Sequence, residues 1–149
     1  MAISRGAGSE IIRTASFKEV DSTNTILIEG EQHHIYTVLS IIIYSASISS
    51  ASNYMTVKLL GYDSKAGTSD VGINIFRYNM QALNTFVWSD KFSFNGYEPT
   101  NFTGPMDDAT KQNAIADQGS SVGQYLYCFS DAAADDSDIT VTFIDQNNA

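Results

Sequence analysis

Cysteine, proline and positive charge are all scarce in this 149-residue sequence, which has one Cys, two Pro and eight Lys plus Arg. A lone thiol closes no internal disulfide, so covalent stapling does not stabilise the chain. Cys128 lies in the apolar run Tyr125–Phe129 and reads as a buried, inert thiol, since nucleophilic use needs a neighbouring base. The eight basic residues face 17 acidic ones, giving a net charge of −9, and they are scattered from Arg5 to Lys111. Without a basic cluster, neither a nucleic-acid groove nor docking on an anionic membrane is expected. Also missing is an apolar stretch of about 20 residues, the length that crosses a bilayer as a helix. Residues 1–10 lack the apolar centre of a signal peptide, so synthesis in a cytoplasm is expected. A Gly-rich phosphate loop, a GxSxG elbow and a CxxC pair are absent too, and no cofactor is expected.

What the sequence does have is 43% hydrophobic residues against 17% charged, the balance of a globular chain. Its centre is the run His33–Ala46, β-branched and aromatic almost throughout and free of Gly and Pro. Strict alternation would put Ile35, Leu39, Ile41 and Ile43 on one face and Tyr36, Val38, Ile42 and Tyr44 on the other. Both faces would then be apolar: a facing sheet covers one, and a loop, the arm or a neighbouring subunit is expected on the other.

Around this run the chain reads as strands separated by turn clusters. Residues 1–10 form a flexible arm, and residues 11–149 one domain. Strands are expected over Glu10–Val20, Thr25–Ile28, Tyr54–Tyr62, Ile73–Tyr78, Gly123–Ser130 and Ser137–Asp145. Thr85–Trp88 and Lys91–Phe94 are two short strands around Ser89-Asp90, or one strand with a bulge. Ser45–Asn53 and Asp63–Gly72 read as loops. Thr100–Ser121 is an excursion with a short helix after Pro105, opened by Asp107 and Asp108. Little helix and eight or nine strands predict an all-β, eight-stranded jelly-roll-like β-sandwich; an immunoglobulin-like sandwich is the alternative.

Three constellations bear on chemistry. His33–His34 could ligate a metal, but neighbours on a strand point to opposite faces and no third His exists. Asp131, Asp135, Asp136 and Asp138 could surround calcium, although the EF-hand spacing is missing. Trp88, Phe92, Phe94, Tyr97 and Phe102 could form a sugar-stacking platform or fill the core, with Trp88, Tyr97 and Phe102 as ligand-facing candidates. Asn101-Phe102-Thr103 matches a glycosylation acceptor, which means little without export.

The small-residue arm Met1–Gly6, the run Gln32–Val38, the segment Phe94–Pro99 and the ending Phe143–Asn148 together resemble small β-sandwich virion proteins of tailed, especially marine, bacteriophages. The resemblance implies a late, non-enzymatic capsid decoration (cement) protein that oligomerises, with a homotrimer favoured, and braces the major capsid protein shell of a virion. A tail or fibre module that binds a receptor or carbohydrate is the alternative it implies. No catalytic role transfers from either. On this reading Ile3, Arg5, Gly6 and Gly8 of the arm contact the capsid, and Tyr36, Val38, Ile42 and Tyr44 form the subunit contact. A metal-dependent hydrolase using His33 or His34 is the remaining class.

Overall fold

The computed structural model describes residues 9–63, 68–97 and 123–147. They form nine strands: β1 (Ser9–Val20), β2 (Thr25–Glu29), β3 (His34–Ser47), β4 (Tyr54–Asp63), β5 (Thr68–Asn79), β6 (Asn84–Trp88), β7 (Phe92–Asn95), β8 (Tyr125–Ser130) and β9 (Asp136–Asn147). One sheet runs β1-β9-β3-β6, with β7 also on β3; the other runs β2-β8-β4-β5. All pairings are antiparallel.

The topology is that of a long hairpin rolled up on itself. From the outside inwards, β1 pairs β9, β2 pairs β8, β3 pairs β6 and β7, and β4 pairs β5. β3–β9 and β4–β8 contacts then close the two sheets. β6 meets Ile41–Ser45 and β7 meets Ile35–Val38, so these two are one strand interrupted at Ser89–Lys91. Counted so, there are eight strands in two sheets, a jelly roll. The nested pairing distinguishes it from an immunoglobulin sandwich.

The core fills the space between the sheets. Alternation is clean on β8 and β9, where Leu126, Cys128, Ile139, Val141 and Phe143 are buried and their neighbours are not. On β3 the regular alternation predicted from sequence fails. Its register against β9 shifts between Val38 and Ser40, a β-bulge at Leu39 that flips the parity of everything after it. Tyr36, Val38, Ile41 and Ile43 therefore share the inner face, each 0% exposed. The strand is not apolar on both faces. Its outer side is mixed: Ile35, Thr37, Ser40, Ile42 and Tyr44.

Two loop expectations change as well. β5 begins at Thr68, because Val71, Gly72 and Ile73 pair with Gly61, Leu60 and Leu59. Ser9 and Glu10 belong to β1, paired with Asn147 and Gln146, so the sheet starts before residue 11. At one end of the sandwich the chain crosses itself closely. Gly30 N–H donates to Gln124 O (2.9 Å), Gln124 N–H to Gly96 O (2.8 Å), and Gly96 N–H to His34 O (2.8 Å). A Cβ on Gly96 would lie 2.0 Å from Glu31 O, and one on Gly30 2.1 Å from Gly96 O. Only glycine fits at either position.

Candidate functional site

The most concentrated polar chemistry lies on β1, β9 and β3. Asp145, 1% exposed, projects inward from β9. One carboxylate oxygen accepts from Arg13 of β1 at 3.0 Å, and the other lies 2.6 Å from His34 Nδ1 of β3. His34 Nε2 lies 3.4 Å from Glu31, and the ring stacks on Tyr36 at 5.9 Å. Arg13 also covers the Phe143 ring, 5.2 Å from its centroid.

An aspartate holding one imidazole nitrogen is how catalytic histidines are oriented, but such a site needs a nucleophile at the other nitrogen. Here Nε2 meets a carboxylate instead. The nearby Tyr36 hydroxyl accepts from Glu31 N–H (3.0 Å) and reaches Glu29 O (3.4 Å). Burial pushes its pKa up to about 12, which keeps the phenol neutral. The cluster staples three strands together. His33, in the turn before β3 with φ 68°, does not join it as a metal pair. Among the described residues no group of three or more His, Cys, Asp and Glu is arranged to hold a metal ion.

Two carboxylates of the acidic loop, Asp131 and Asp135, are likewise spent internally, whereas a buried oxygen of Asp136 has no hydrogen-bond partner among the described residues. Asp135, 4% exposed, accepts from Ser49 N–H (2.8 Å), Ser49 Oγ (3.1 Å), Asn53 Nδ2 (3.0 and 3.1 Å) and Ala132 N–H (3.2 Å). Burial alone would raise its pKa, but the donors from Ser49, Asn53 and Ser130 outweigh it and hold the carboxyl below the usual range. Asp131 accepts from Tyr54 N–H at 2.9 Å. These carboxylates pin loops to the sandwich and do not converge on a calcium site. Cys128 is buried as expected, and burial raises its thiol pKa to about 12, which disfavours the thiolate.

The aromatic platform does not assemble either. Trp88 stacks on Phe76 (5.2 Å) and meets Phe92 edge-on (5.5 Å), packing against the core. Tyr97 lies beyond the far end of β7, bridged to Gly123. Since Trp88 pairs with Ile41 and Asn95 with Ile35, six residues of strand, about 20 Å, separate the two ends. Phe102 lies outside the described residues, as do Ile3, Arg5, Gly6 and Gly8 of the arm and the helix expected after Pro105.

Of the subunit-contact candidates, Tyr36 and Val38 are core residues, sealed by the chain's own second sheet. Ile42 and Tyr44 do reach solvent, at 37% and 36% exposure. They belong to the outer face of the β1-β9-β3-β6/β7 sheet, which the bulge at Leu39 makes continuous. Val87, 55% exposed, pairs with Ile42, and Ile12 on β1 is 70% exposed. Between these aliphatics lie cross-strand hydroxyl pairs: Thr14–Thr142 (3.3 Å), Ser16–Thr140 (3.0 Å) and Thr37–Ser93 (2.9 Å). Among the described residues the charges of this face sit at its rim, with Glu10 at one end, Lys18 and Asp138 at the other, and Asp90 and Lys91 between β6 and β7. A broad uncharged face on a chain of net charge −9 is the feature that sequence reasoning missed. Its signal was present as Thr14-Ala15-Ser16 and Thr140-Val141-Thr142, small hydroxyls at alternate positions.

No protein-family model matches the chain, and no curated protein does. Among solved structures it is similar to a subunit of Bacillus endospore appendages, described as disulfide-linked pili, with TM-score 0.39 and 10% identity over 100% of this chain and 97% of that one. It is also similar to a chain of the T13 particle of IBDV, with TM-score 0.42 and 8% identity over 99% of this chain and 37% of the other. A chain of the Gx strain of infectious bursal disease virus gives TM-score 0.36 and 6% identity over 96% and 38%. This chain thus spans little more than a third of either viral chain, and none of the three superposes closely enough to carry a functional argument.

Proposed function

We propose that this protein is a structural subunit that works by being fitted against other molecules, and specifically a capsid decoration protein of a tailed bacteriophage. The observation that carries the reading is the outer face of the β1-β9-β3-β6/β7 sheet. It presents Ile12, Ile42, Tyr44 and Val87 among paired hydroxyls and keeps charge at its rim. A chain of net charge −9 repels an acidic partner almost everywhere else, so an uncharged face is where close contact costs least. Flat hydroxyl-and-aliphatic surface suits a shell: the aliphatics lose water on contact, and the hydroxyls remain satisfied by one another.

The buried polar groups support the same reading. His34, Asp145, Tyr36 and Asp135 have their hydrogen-bonding capacity taken up in holding strands and loops together. The carbohydrate-binding alternative, as read from Trp88 and Tyr97, would need those two rings on one surface, and they are far apart; the aromatic row the fold does form is Tyr125, Tyr127 and Phe129 on β8, with centroids 5.5 and 6.3 Å apart.

Immunogold electron microscopy with an antibody to this chain tests the proposal on particles of the virus encoding it. Label over the heads is expected, lost when Ile42→Glu and Val87→Glu are introduced together. Label at tail tips or fibres would overturn the decoration role, and no label on particles would overturn the structural reading.

A further inference from the structure

A two-sheet sandwich leaves four strand edges, and proteins commonly blunt such edges by keeping them short. Two edges here follow that rule: β2 has five residues, and the interrupted strand has five in β6 and four in β7. The other two do not, since β1 and β5 have 12 residues each. They close different sheets and lie on opposite sides of the sandwich. β1 lies over β2, while β5 stacks Phe76 and Tyr78 on Phe86 and Trp88 of β6. Each long strand therefore overhangs a short one.

Both overhangs carry exposed aliphatic side chains, beside Glu10 and Arg13 on β1. On β5, Val71 is 49% and Ile73 61% exposed, and with Leu59, Tyr62 and Ile75 they wall a hollow of about 420 Å³. On β1, Ile11 is 42% and Ile12 70% exposed.

We propose that the β1 edge of one copy pairs antiparallel with the β5 edge of the next, so that the first sheet of one copy continues into the second sheet of its neighbour. This rests on the structural-subunit reading above and adds the contact between copies. The charges choose the direction. With Thr14–Phe17 set antiparallel against Asn74–Val71, Lys18 and Asp70 come together just past one end of that overlap. Phe17 then faces Val71, and Ala15 faces Ile73. The register runs unbroken from Thr14 to Phe17 against Asn74 to Val71, since the irregularities of β1 and β5 lie beyond that span. A parallel overlap would instead carry Lys18 away from Asp70 towards the Arg77 end of β5, and like charges across strands are destabilising. Because the two edges are different surfaces, the contact is heterologous and propagates from copy to copy into a ring or an open filament.

The full chain at increasing concentration in sedimentation velocity tests this. Wild type is expected to form a concentration-dependent series of oligomers. Asp70→Lys and Lys18→Asp should each weaken association about fivefold or more, and the double exchange should restore it. Lys18 and Asp70 are both exposed, so the variants should fold; circular dichroism checks this. Thr14→Cys combined with Asn74→Cys should give an oxidised ladder of linked copies. Oligomers that ignore both charge reversals and yield no ladder would overturn the edge contact while leaving self-association intact. A wild type that stays monomeric throughout would overturn the edge contact and self-association together, leaving shell docking to the particle labelling.

Discussion

Replacing Asp135 with alanine should be the most damaging single change in the acidic loop, and the structure sets its size. The carboxylate is 4% exposed and accepts from three residues on two loops, Ser49 and Asn53 on one and Ala132 on its own. Asp135→Ala strands the Ser49 and Ala132 N–H groups and the Asn53 amide, each worth about 1–3 kcal/mol if left unsatisfied. Ser49 is exposed, so water can replace part of this. A net loss of about 3 kcal/mol is expected, which for a domain of this size lowers Tm by roughly 6–12 °C. Asp135→Asn should lose less, because one oxygen survives. The carboxyl's pKa is lowered in the fold, so its contribution is complete above the unfolded value of about 3.9 and fades as pH falls through the folded one. The stability gap between wild type and Asp135→Asn should therefore hold at neutral pH and close in acid. Thermal melts by circular dichroism from neutral pH downward measure this. An Asp135→Ala variant melting within about 2 °C of wild type would refute the assigned role.

Three further outcomes follow from the same geometry. Gly96→Ala should cost at least about 2 kcal/mol in urea unfolding, since the new methyl meets Glu31 O at 2.0 Å; an unchanged midpoint would contradict the crossing described. Cys128 should react with a thiol reagent only as fast as the protein unfolds, because it is fully buried with its pKa near 12; rapid labelling of the native chain would contradict that burial. Added calcium should leave Tm within about 1 °C, as Asp135 is turned inward to Asn53; a larger rise would show that the loop gathers an ion after all.

Most of the fold was legible because alternation is strong where one face is buried and the other wet. Val141 between Thr140 and Thr142 reads directly as strand, and Asn95-Gly96 marked the end of β7. The long strand was misread because a bulge leaves no mark in a run rich in Ile, Val and Tyr, and one extra residue at Leu39 moved Tyr36 and Val38 into the core. The start of β5 escaped notice because Ser69, Asp70 and Gly72 have low strand propensity; pairing with β4 overrides it. The roles of Asp145 and Asp135 were not legible, since nothing local announces that Arg13, His34 and Asn53 arrive from far along the chain. The same non-local pairing hid the outer face, which takes its hydroxyls from β1, β3, β7 and β9.

On the function proposed above, this protein acts through contact with other molecules across an uncharged sheet face. The most direct measurement is hydrogen–deuterium exchange on the particle-bound and the free protein. Added protection confined to β1, β3 and β9, around Ile12, Ile42 and Thr142, is the predicted result. Unchanged exchange over that sheet, with protection gathered elsewhere, would contradict it.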